Sequence, residues 1–335
     1  MGNLMSQLHQ LKKFTKLVID SADVSLIKDY PIVDATTNPS LILKEVEKPF
    51  FIKLMDDAIV YANKKNHLTS SFIMDKFLVN CAREILLLIP GRVSIEIDAR
   101  CSFDMEKTIE KANDIITLCE EEGINKDRIL IKIAASLEGI QAMQVLESQG
   151  IHCNMTLIFS LMQSVLCAEK KATIISPFIG RTSDWYENRY KKQYSNFDDP
   201  GLLLIKSIYD YLKKFDYPTQ IMGASFRTLS KVLLLSGCDY LTISPSLLDA
   251  LANSNNLVLA NFSAKKAKSF KIDKIDITES NFNDKLKQDP CAFNSLFDGI
   301  SKFSKDTVKL EEIIKKKIFQ NKDLKESFEK MAISN

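Results

Sequence analysis

The sequence predicts an α/β fold, a (β/α)8 barrel of the TIM type with additional helices. Three observations lead there. Eight short segments rich in β-branched and aliphatic residues recur along the chain, longer stretches with helical spacing separate most of them, and several of the short segments alternate polar and apolar residues as two-faced strands do. At 335 residues, 45% hydrophobic and 26% charged, the chain is long enough for a sizeable core. No low-complexity linker or internal repeat divides it, so residues 1–335 are expected to form a single domain.

Taken in order, the strand segments are Leu17 to Asp20, Ile32 to Thr36, Val93 to Asp98, Ile129 to Ala134, Ile151 to Thr156, Thr173 to Ser176, Gln220 to Ala224 and Tyr240 to Ser244. Helical candidates between them include Phe103 to Glu122, Leu137 to Glu147, Phe159 to Lys171, Leu202 to Phe215 and Arg227 to Ser236. The excursion from Ser40 to Leu88 exceeds what one crossover needs and carries at least two helical patterns, so a helical layer is inserted after the second strand. Asp249 to Asp289 is irregular and lysine-rich. Beyond it, Phe293, Leu296, Phe297, Ile300, Phe303, Leu310 and Ile314 recur at helical spacing, so the tail packs on the barrel as a helix or helix pair.

Composition narrows the function classes. A net charge of +2, with lysines interspersed among acids, gives no basic field for nucleic acid. The seven cysteines are scattered and odd in number, without a secretory pattern, which points to a reducing, cytoplasmic setting. With three histidines and no clustered cysteines, neither a metal site nor a Ser/His or Cys/His triad can be assembled, and catalysis is expected to rest on lysine and carboxylates without a cofactor. The apolar runs fall short of a membrane span. The opening Met1-Gly2-Asn3-Leu4-Met5-Ser6 fits the loose myristoylation pattern at Gly2, and Leu4, Leu8 and Leu11 read equally well as a helix face packing on the domain.

The run Arg128 to Gly139 carries one lysine amid aliphatic residues. A lysine near a strand end can snorkel to water; one held inside loses solvation as an ammonium ion and becomes an amine nucleophile near neutral pH. Strand parity separates the two. In the third strand Val93, Ile95 and Ile97 share one face and Ser94, Glu96 and Asp98 the other; in the fifth, Ile151, Cys153 and Met155 oppose His152, Asn154 and Thr156. Helices cover the outside of a parallel barrel, so the polar sets face inward. Lys132 shares parity with Leu130 and Ala134 and is expected inside with them. Asp20 closes the first strand, Asp34, Thr36 and Asn38 line one face of the second, Ser176 and Phe178 end the sixth, and Thr242 and Ser244 end the eighth. These groups are expected at one barrel mouth. A hydrogen-bonded polar plug is the alternative, and a lysine with two carboxylates inside one barrel favours a reactive site over it.

Arg181 follows Ser176-Pro177-Phe178-Ile179-Gly180, and Arg227 follows Gly223-Ala224-Ser225-Phe226. Both are expected in loops directly after strands, with glycines permitting close backbone approach, an arrangement suited to a phosphate. Surface pairing with a neighbour such as Asp184 is the other reading.

Taken together, these residues carry a resemblance that covers nearly the whole chain. Asp34-Ala35-Thr36-Thr37-Asn38-Pro39-Ser40-Leu41-Ile42 resembles the N-terminal signature of the transaldolase family, in its longer, classical form, and Ile131-Lys132-Ile133-Ala134 followed by Glu138-Gly139-Ile140 resembles its Schiff-base segment. Further similar stretches are Val93 to Arg100, Cys153 to Leu157, Ile175 to Arg181, Met222 to Arg227 and the tail motif Gln288-Asp289-Pro290. The resemblance implies that Lys132 forms an imine with a ketose phosphate, that Asp20 is the acid/base for the bond to be cleaved, and that Glu96 shuttles protons through a water held with Thr156. It assigns Asn38, Asn154 and Ser176 to hydroxyls of the retained three-carbon unit, Arg181, Arg227 and Ser225 to the phosphate, and Phe178 to an apolar part of the pocket. No cofactor or metal is implied, since a protonated imine absorbs the developing carbanion.

The implied reaction moves a dihydroxyacetone unit from sedoheptulose 7-phosphate or fructose 6-phosphate to glyceraldehyde 3-phosphate or erythrose 4-phosphate, in the non-oxidative pentose phosphate pathway. Partners are then sugar phosphates, and a homodimer is implied by the resemblance alone. Departures fall at Ser21 and Ala22 within Asp20-Ser21-Ala22-Asp23 and at Leu137, where an aromatic residue is common; both flank catalytic positions. A fructose 6-phosphate aldolase is the enzymatic alternative, and that group tends to carry tyrosine at the place of Phe178. A catalytically inert barrel used for binding is a third reading, and it expects loss of Asp20, Glu96 or Lys132, all of which are present.

Overall fold

The computed structural model describes residues 5–320. Eight parallel strands close on themselves in chain order: β1 (Lys16–Asp20), β2 (Asp34–Thr36), β3 (Val93–Glu96), β4 (Ile129–Ala134), β5 (Cys153–Ile158), β6 (Ile174–Pro177), β7 (Gln220–Gly223) and β8 (Tyr240–Ile243). The seam pairs β1 with β8 at Leu17 and Leu241. All eight expected segments are strands, with small differences at their ends. β3 stops at Glu96 because Asp98 accepts from the Arg100 N–H and starts a short 3-10 turn. Asp98 therefore leaves the inward face expected of it and pairs with Arg100 outside the strand.

The helices begin with α1 (Gln7–Leu11), which buries Leu8 and Leu11 against the domain, and α2 (Val24–Ile27). The candidate myristoylation residue Gly2 lies outside the described residues. The insertion after β2 contains three helices, α3 (Pro39–Glu45), α4 (Pro49–Lys64) and α5 (Ser70–Leu86). Crossovers follow as α6 (Met105–Glu121), α7 (Leu137–Ser148) and α8 (Leu161–Glu169). Two helices, α9 (Ile179–Tyr190) and α10 (Pro200–Lys214), join β6 to β7, and α11 (Leu229–Leu234) joins β7 to β8. Then come α12 (Pro245–Ala252), α13 (Ala264–Lys268), α14 (Glu279–Gln288) and the 31-residue α15 (Pro290–Gln320), so the tail is one long helix preceded by a short one.

Local sequence fixes the abrupt turns from strand to helix. Asn38, Ser136 and Ser160 each accept a hydrogen bond from the backbone N–H three residues on, Asp199 caps α10 after α9 in the same way, and Pro39 and Pro200 fill the first turn where no N–H is needed. These caps keep the loops short and hold strand ends close to the helix starts.

The core divides as parity requires. Ile95, Ile131, Ile133, Cys153 and Met155 face the helical jacket and are buried. Inside the barrel, Val18, Leu130, Ile174, Met222 and Tyr240 form a separate apolar layer with Val33 against it. Beneath that layer Asp34 pairs with Arg92 at 3.2 Å, and Arg92 and Lys16 each donate to the Tyr240 hydroxyl at 3.1 Å. Asp34 is thus inward but at the floor: in register it meets Val18, two residues below Asp20, and it takes no part at the mouth where Thr36 and Asn38 lie. At that mouth α15 crosses over, and its far end packs Leu310, Ile314 and Ile318 into a second apolar cluster with Leu54, Met55 and Phe77 of the inserted helices. Each fully buried aliphatic contributes about 1.5–3 kcal/mol, which anchors α15 firmly beside the site.

Candidate active site

β3 and β4 pair Glu96 with Lys132 in register, and both side chains point into the barrel above the apolar layer. Their charged atoms are 2.9 Å apart, and Lys132 Nζ also donates to the Thr37 carbonyl at 3.0 Å. Neither residue is more than 5% exposed, which excludes the snorkelling alternative. Burial pushes the Glu96 carboxyl above its ordinary value, and Lys132, followed by Arg181, opposes that shift.

Asp20 sits at the end of β1 with part of its surface on the cavity. Burial raises its pKa too, again opposed first by Lys132. One carboxylate oxygen accepts from the Thr36 hydroxyl at 3.0 Å, and Thr36 is 2.5 Å from the Thr242 hydroxyl. A chain of short polar groups therefore orients the carboxylate from β2 and β8.

On the other side, Asn154 donates to Ser94 Oγ at 3.0 Å and accepts from Ser176 Oγ at 2.7 Å. This buried ladder links β3, β5 and β6 at the level of Lys132, whose register partner on β5 is Asn154. Thr156 stands one step nearer the mouth, and its buried hydroxyl has no hydrogen-bond partner among the described residues.

The two arginines differ from expectation in one respect. Arg181 belongs to the first turn of α9, and only Arg227 lies in a loop, before α11. Gly180 makes their approach feasible: its N–H donates to the Ser225 carbonyl at 2.7 Å, and a Cβ there would stand 2.0 Å from that oxygen. Ser225 adopts a left-handed φ of 66° at this contact. Arg181 lies over the Phe178 ring at 4.9 Å and the Phe303 ring of α15 at 5.4 Å. Arg227 pairs with Asp184 at 2.7 Å, as the surface-pairing reading anticipated, and also lines the cavity described next.

A cavity of about 470 Å³ opens over these groups. Asp20, Asn38, Lys132, Ser176, Phe178, Arg181, Ser225 and Arg227 all reach its wall. Glu96, Asn154 and Thr156 do not line it, although all three are buried inside the barrel within two register steps of Lys132. Asn38 spends its carbonyl on capping α3, with the Leu41 N–H at 3.0 Å, and its carboxamide nitrogen has no partner among the described residues. Lys44 of α3 and Lys302 of α15 also line the cavity, and sequence reasoning did not select them. The signal for Lys302 was its place beside Phe303 in the tail pattern, whose docking position only the fold reveals. Lys44, Arg181, Arg227 and Lys302 therefore line one cavity together with Lys132 and Asp20, an arrangement able to bind a phosphorylated carbonyl compound and attack it. Among the described residues no group of three His, Cys, Asp or Glu side chains comes together as a metal centre.

Comparison with known proteins agrees with this geometry. The pattern of the transaldolase/fructose-6-phosphate aldolase family matches residues 17–314. The chain is 48% identical over 313 residues to a transaldolase from Protochlamydia amoebophila, covering 92% of this chain and 97% of that one. It is 48% identical to the transaldolase of Saccharomyces cerevisiae, covering 93% and 96%, and 47% identical to that of Homo sapiens, covering 94% and 95%. The expected family, barrel and inserted helices are all found, and the chain belongs to the transaldolase/fructose-6-phosphate aldolase family.

Proposed function

We infer that the protein is a transferase carrying out the transaldolase reaction on sugar phosphates within the non-oxidative pentose phosphate pathway. The observation that carries this reading is Lys132, buried against Glu96 yet reaching a basic cavity beside Asp20. In this reading the Lys132 amine adds to the C2 carbonyl of sedoheptulose 7-phosphate or fructose 6-phosphate. The carbinolamine loses water to give an iminium ion, with Glu96 moving protons through a water that Thr156 helps to hold. Asp20 takes the proton from the C4 hydroxyl as the C3–C4 bond breaks, and its electron pair enters the iminium as an enamine. The aldose phosphate leaves, and the enamine adds to glyceraldehyde 3-phosphate or erythrose 4-phosphate.

The remaining site residues support binding. Asn38, Asn154 and Ser176 would hold hydroxyls of the dihydroxyacetone unit. Arg181, Arg227 and Ser225 would hold the phosphate through charge-assisted hydrogen bonds. Phe178 keeps one wall apolar, and its edge-on contact with Phe159 fixes the ring; an apolar wall protects an enamine from water while it waits for an acceptor. We take the protein to act as a homodimer in the cytoplasm, where its seven free cysteines stay reduced. No helix of the described residues is long and apolar enough to cross a membrane.

Incubation with fructose 6-phosphate and borohydride should leave a reduced three-carbon adduct on Lys132 by peptide mapping; an unmodified peptide refutes the nucleophile. An acceptor aldehyde should raise turnover strongly, and equal rates with and without it would favour an aldolase.

A further inference from the structure

Leu157 lies inside β5 with φ 56°, in the left-handed region where a leucine Cβ crowds its own backbone. The outlier falls within a register shift between Met155 and Ile158, so the strand bulges one residue beyond Thr156. Two contacts hold it there. Gln163 of α8, fully buried, donates through Nε2 to the carbonyls of Leu157 at 3.1 Å and Ala135 at 3.0 Å, while its Oε1 accepts from the Phe159 N–H at 2.9 Å. One carboxamide thereby ties the end of β4, three residues past Lys132, to the bulge on β5. From the outer side α15 lays Gly299 on the Leu157 side chain so closely that a Cβ would stand 2.6 Å from Cδ2 and 3.0 Å from Cδ1.

The strained residue directly follows a buried threonine whose hydroxyl has no partner among the described residues. Bulges re-aim neighbouring side chains, and retained backbone strain points to function when the surroundings enforce it. We propose that Gln163 and Gly299 are positioning residues that hold the Leu157 bulge so that the Thr156 hydroxyl meets the water of imine hydrolysis. The proposal rests on the reading of Lys132 as the imine-forming nucleophile. In that step the water oxygen bonds to the iminium carbon, the C=N π pair moves onto the lysine nitrogen, and the water's proton passes to Glu96. The carbinolamine then collapses: the C–N bond breaks, the carbonyl reforms, and the hydroxyl proton returns to the amine.

The test is a double-mutant cycle. Gly299→Ala should lower kcat about 10- to 100-fold with KM nearly unchanged, and should slow exchange of the ketose carbonyl oxygen with ¹⁸O-labelled water by a similar factor. In a Thr156→Ala background the same change should alter kcat by less than about twofold, because the hydroxyl it displaces is already gone. Leu157→Gly accepts the left-handed backbone and clears the space, so it should remove the sensitivity to Gly299→Ala. Losses that multiply in the Thr156→Ala background, or that appear only in KM or thermal stability, overturn the proposal. If Gly299→Ala does not fold, Gln163→Met carries the same cycle. Borohydride trapping of the wild-type protein separates the two failures: an adduct on Lys132 with multiplying losses overturns the positioning role alone, and no adduct overturns the imine reading.

Discussion

Replacing Lys132 with methionine tests how far the lysine opposes the burial that raises the Glu96 carboxyl. The pair is 2.9 Å apart and almost fully enclosed. Burial already raises the carboxyl, and Lys132 is the first influence that draws it back. Without the lysine the desolvation stays and the compensation goes, so the carboxyl takes up a proton in preference to standing as an unpaired buried anion. Protonation caps the cost. Starting from the ordinary value of 4.5, neutralising the group at pH 7 costs about 1.36 kcal/mol for each of about 2.5 pH units, or roughly 3.4 kcal/mol. That sits at the low end of the roughly 3–5 kcal/mol typical of a broken buried pair.

The sign of the pH dependence follows from proton counting. A raised carboxyl pKa means the folded state keeps a proton that the unfolded chain has released, so stability falls as pH rises up to the folded-state pKa. The variant should therefore lose stability more steeply than wild type as pH rises above the ordinary carboxylate range, and more steeply still if Asp20 follows, since Lys132 is also the first influence lowering its burial-raised pKa. Urea unfolding at pH 6, 7 and 8 measures the slope, and an infrared band from ¹³C-labelled glutamic acid reports the protonated form. Parallel stability profiles for the two proteins, with no acid carbonyl band at pH 7, would refute the reasoning.

Three other perturbations probe separate parts of the molecule. Burial pushes Asp75 up to about 6, against the pull of Lys111; with an unfolded value of 3.8, Asp75→Asn should gain roughly 1.4 kcal/mol on wild type between pH 5 and 7.5, by urea titration. Asp34→Ala removes the carboxylate from the barrel floor and leaves Arg92 half-paired, so it should cost about 2–4 kcal/mol of stability while the kcat of the folded fraction stays within about twofold. Lys302→Met should raise KM for the sugar phosphate roughly three- to fivefold with little change in kcat, an effect that added salt should erase.

Parity is a local property, and it carried the inward placement of Lys132, Glu96 and Asn154 correctly because each lies within a regular strand. It says nothing of height along the barrel axis, which depends on the stagger between strands. Asp34 has the same parity as Thr36 yet ends at the floor. Asp98 fails for a different reason: alternation ceases where a side chain caps its own turn. The bulge at Leu157 was invisible because neither glycine nor a turn residue marks it; its cause is a glutamine and a glycine that meet it only after α8 and α15 dock. Lys44 and Lys302 escaped for the same reason, since a lysine on an amphipathic helix reads as solvated until the helix is placed. Gly180 shows the reverse case, where its requirement for close approach was legible and its partner, the Ser225 carbonyl, was not.

The seam between β1 and β8 also sets a timetable for biosynthesis. Leu17 waits for Leu241, and at ~5–20 residues per second that interval lasts roughly 11–45 seconds. Through it the first strand has a free edge on one side, and the stacking of Phe303 on Arg181 comes later still. A nascent chain thus has Lys132 early, on β4, but gains the Phe303 contact at the mouth only after α15 has been made. The barrel mouth around Lys132 is therefore complete only once ribosomal synthesis has passed α15, and slow translation between β8 and α15 should lengthen the interval before Phe303 reaches Arg181.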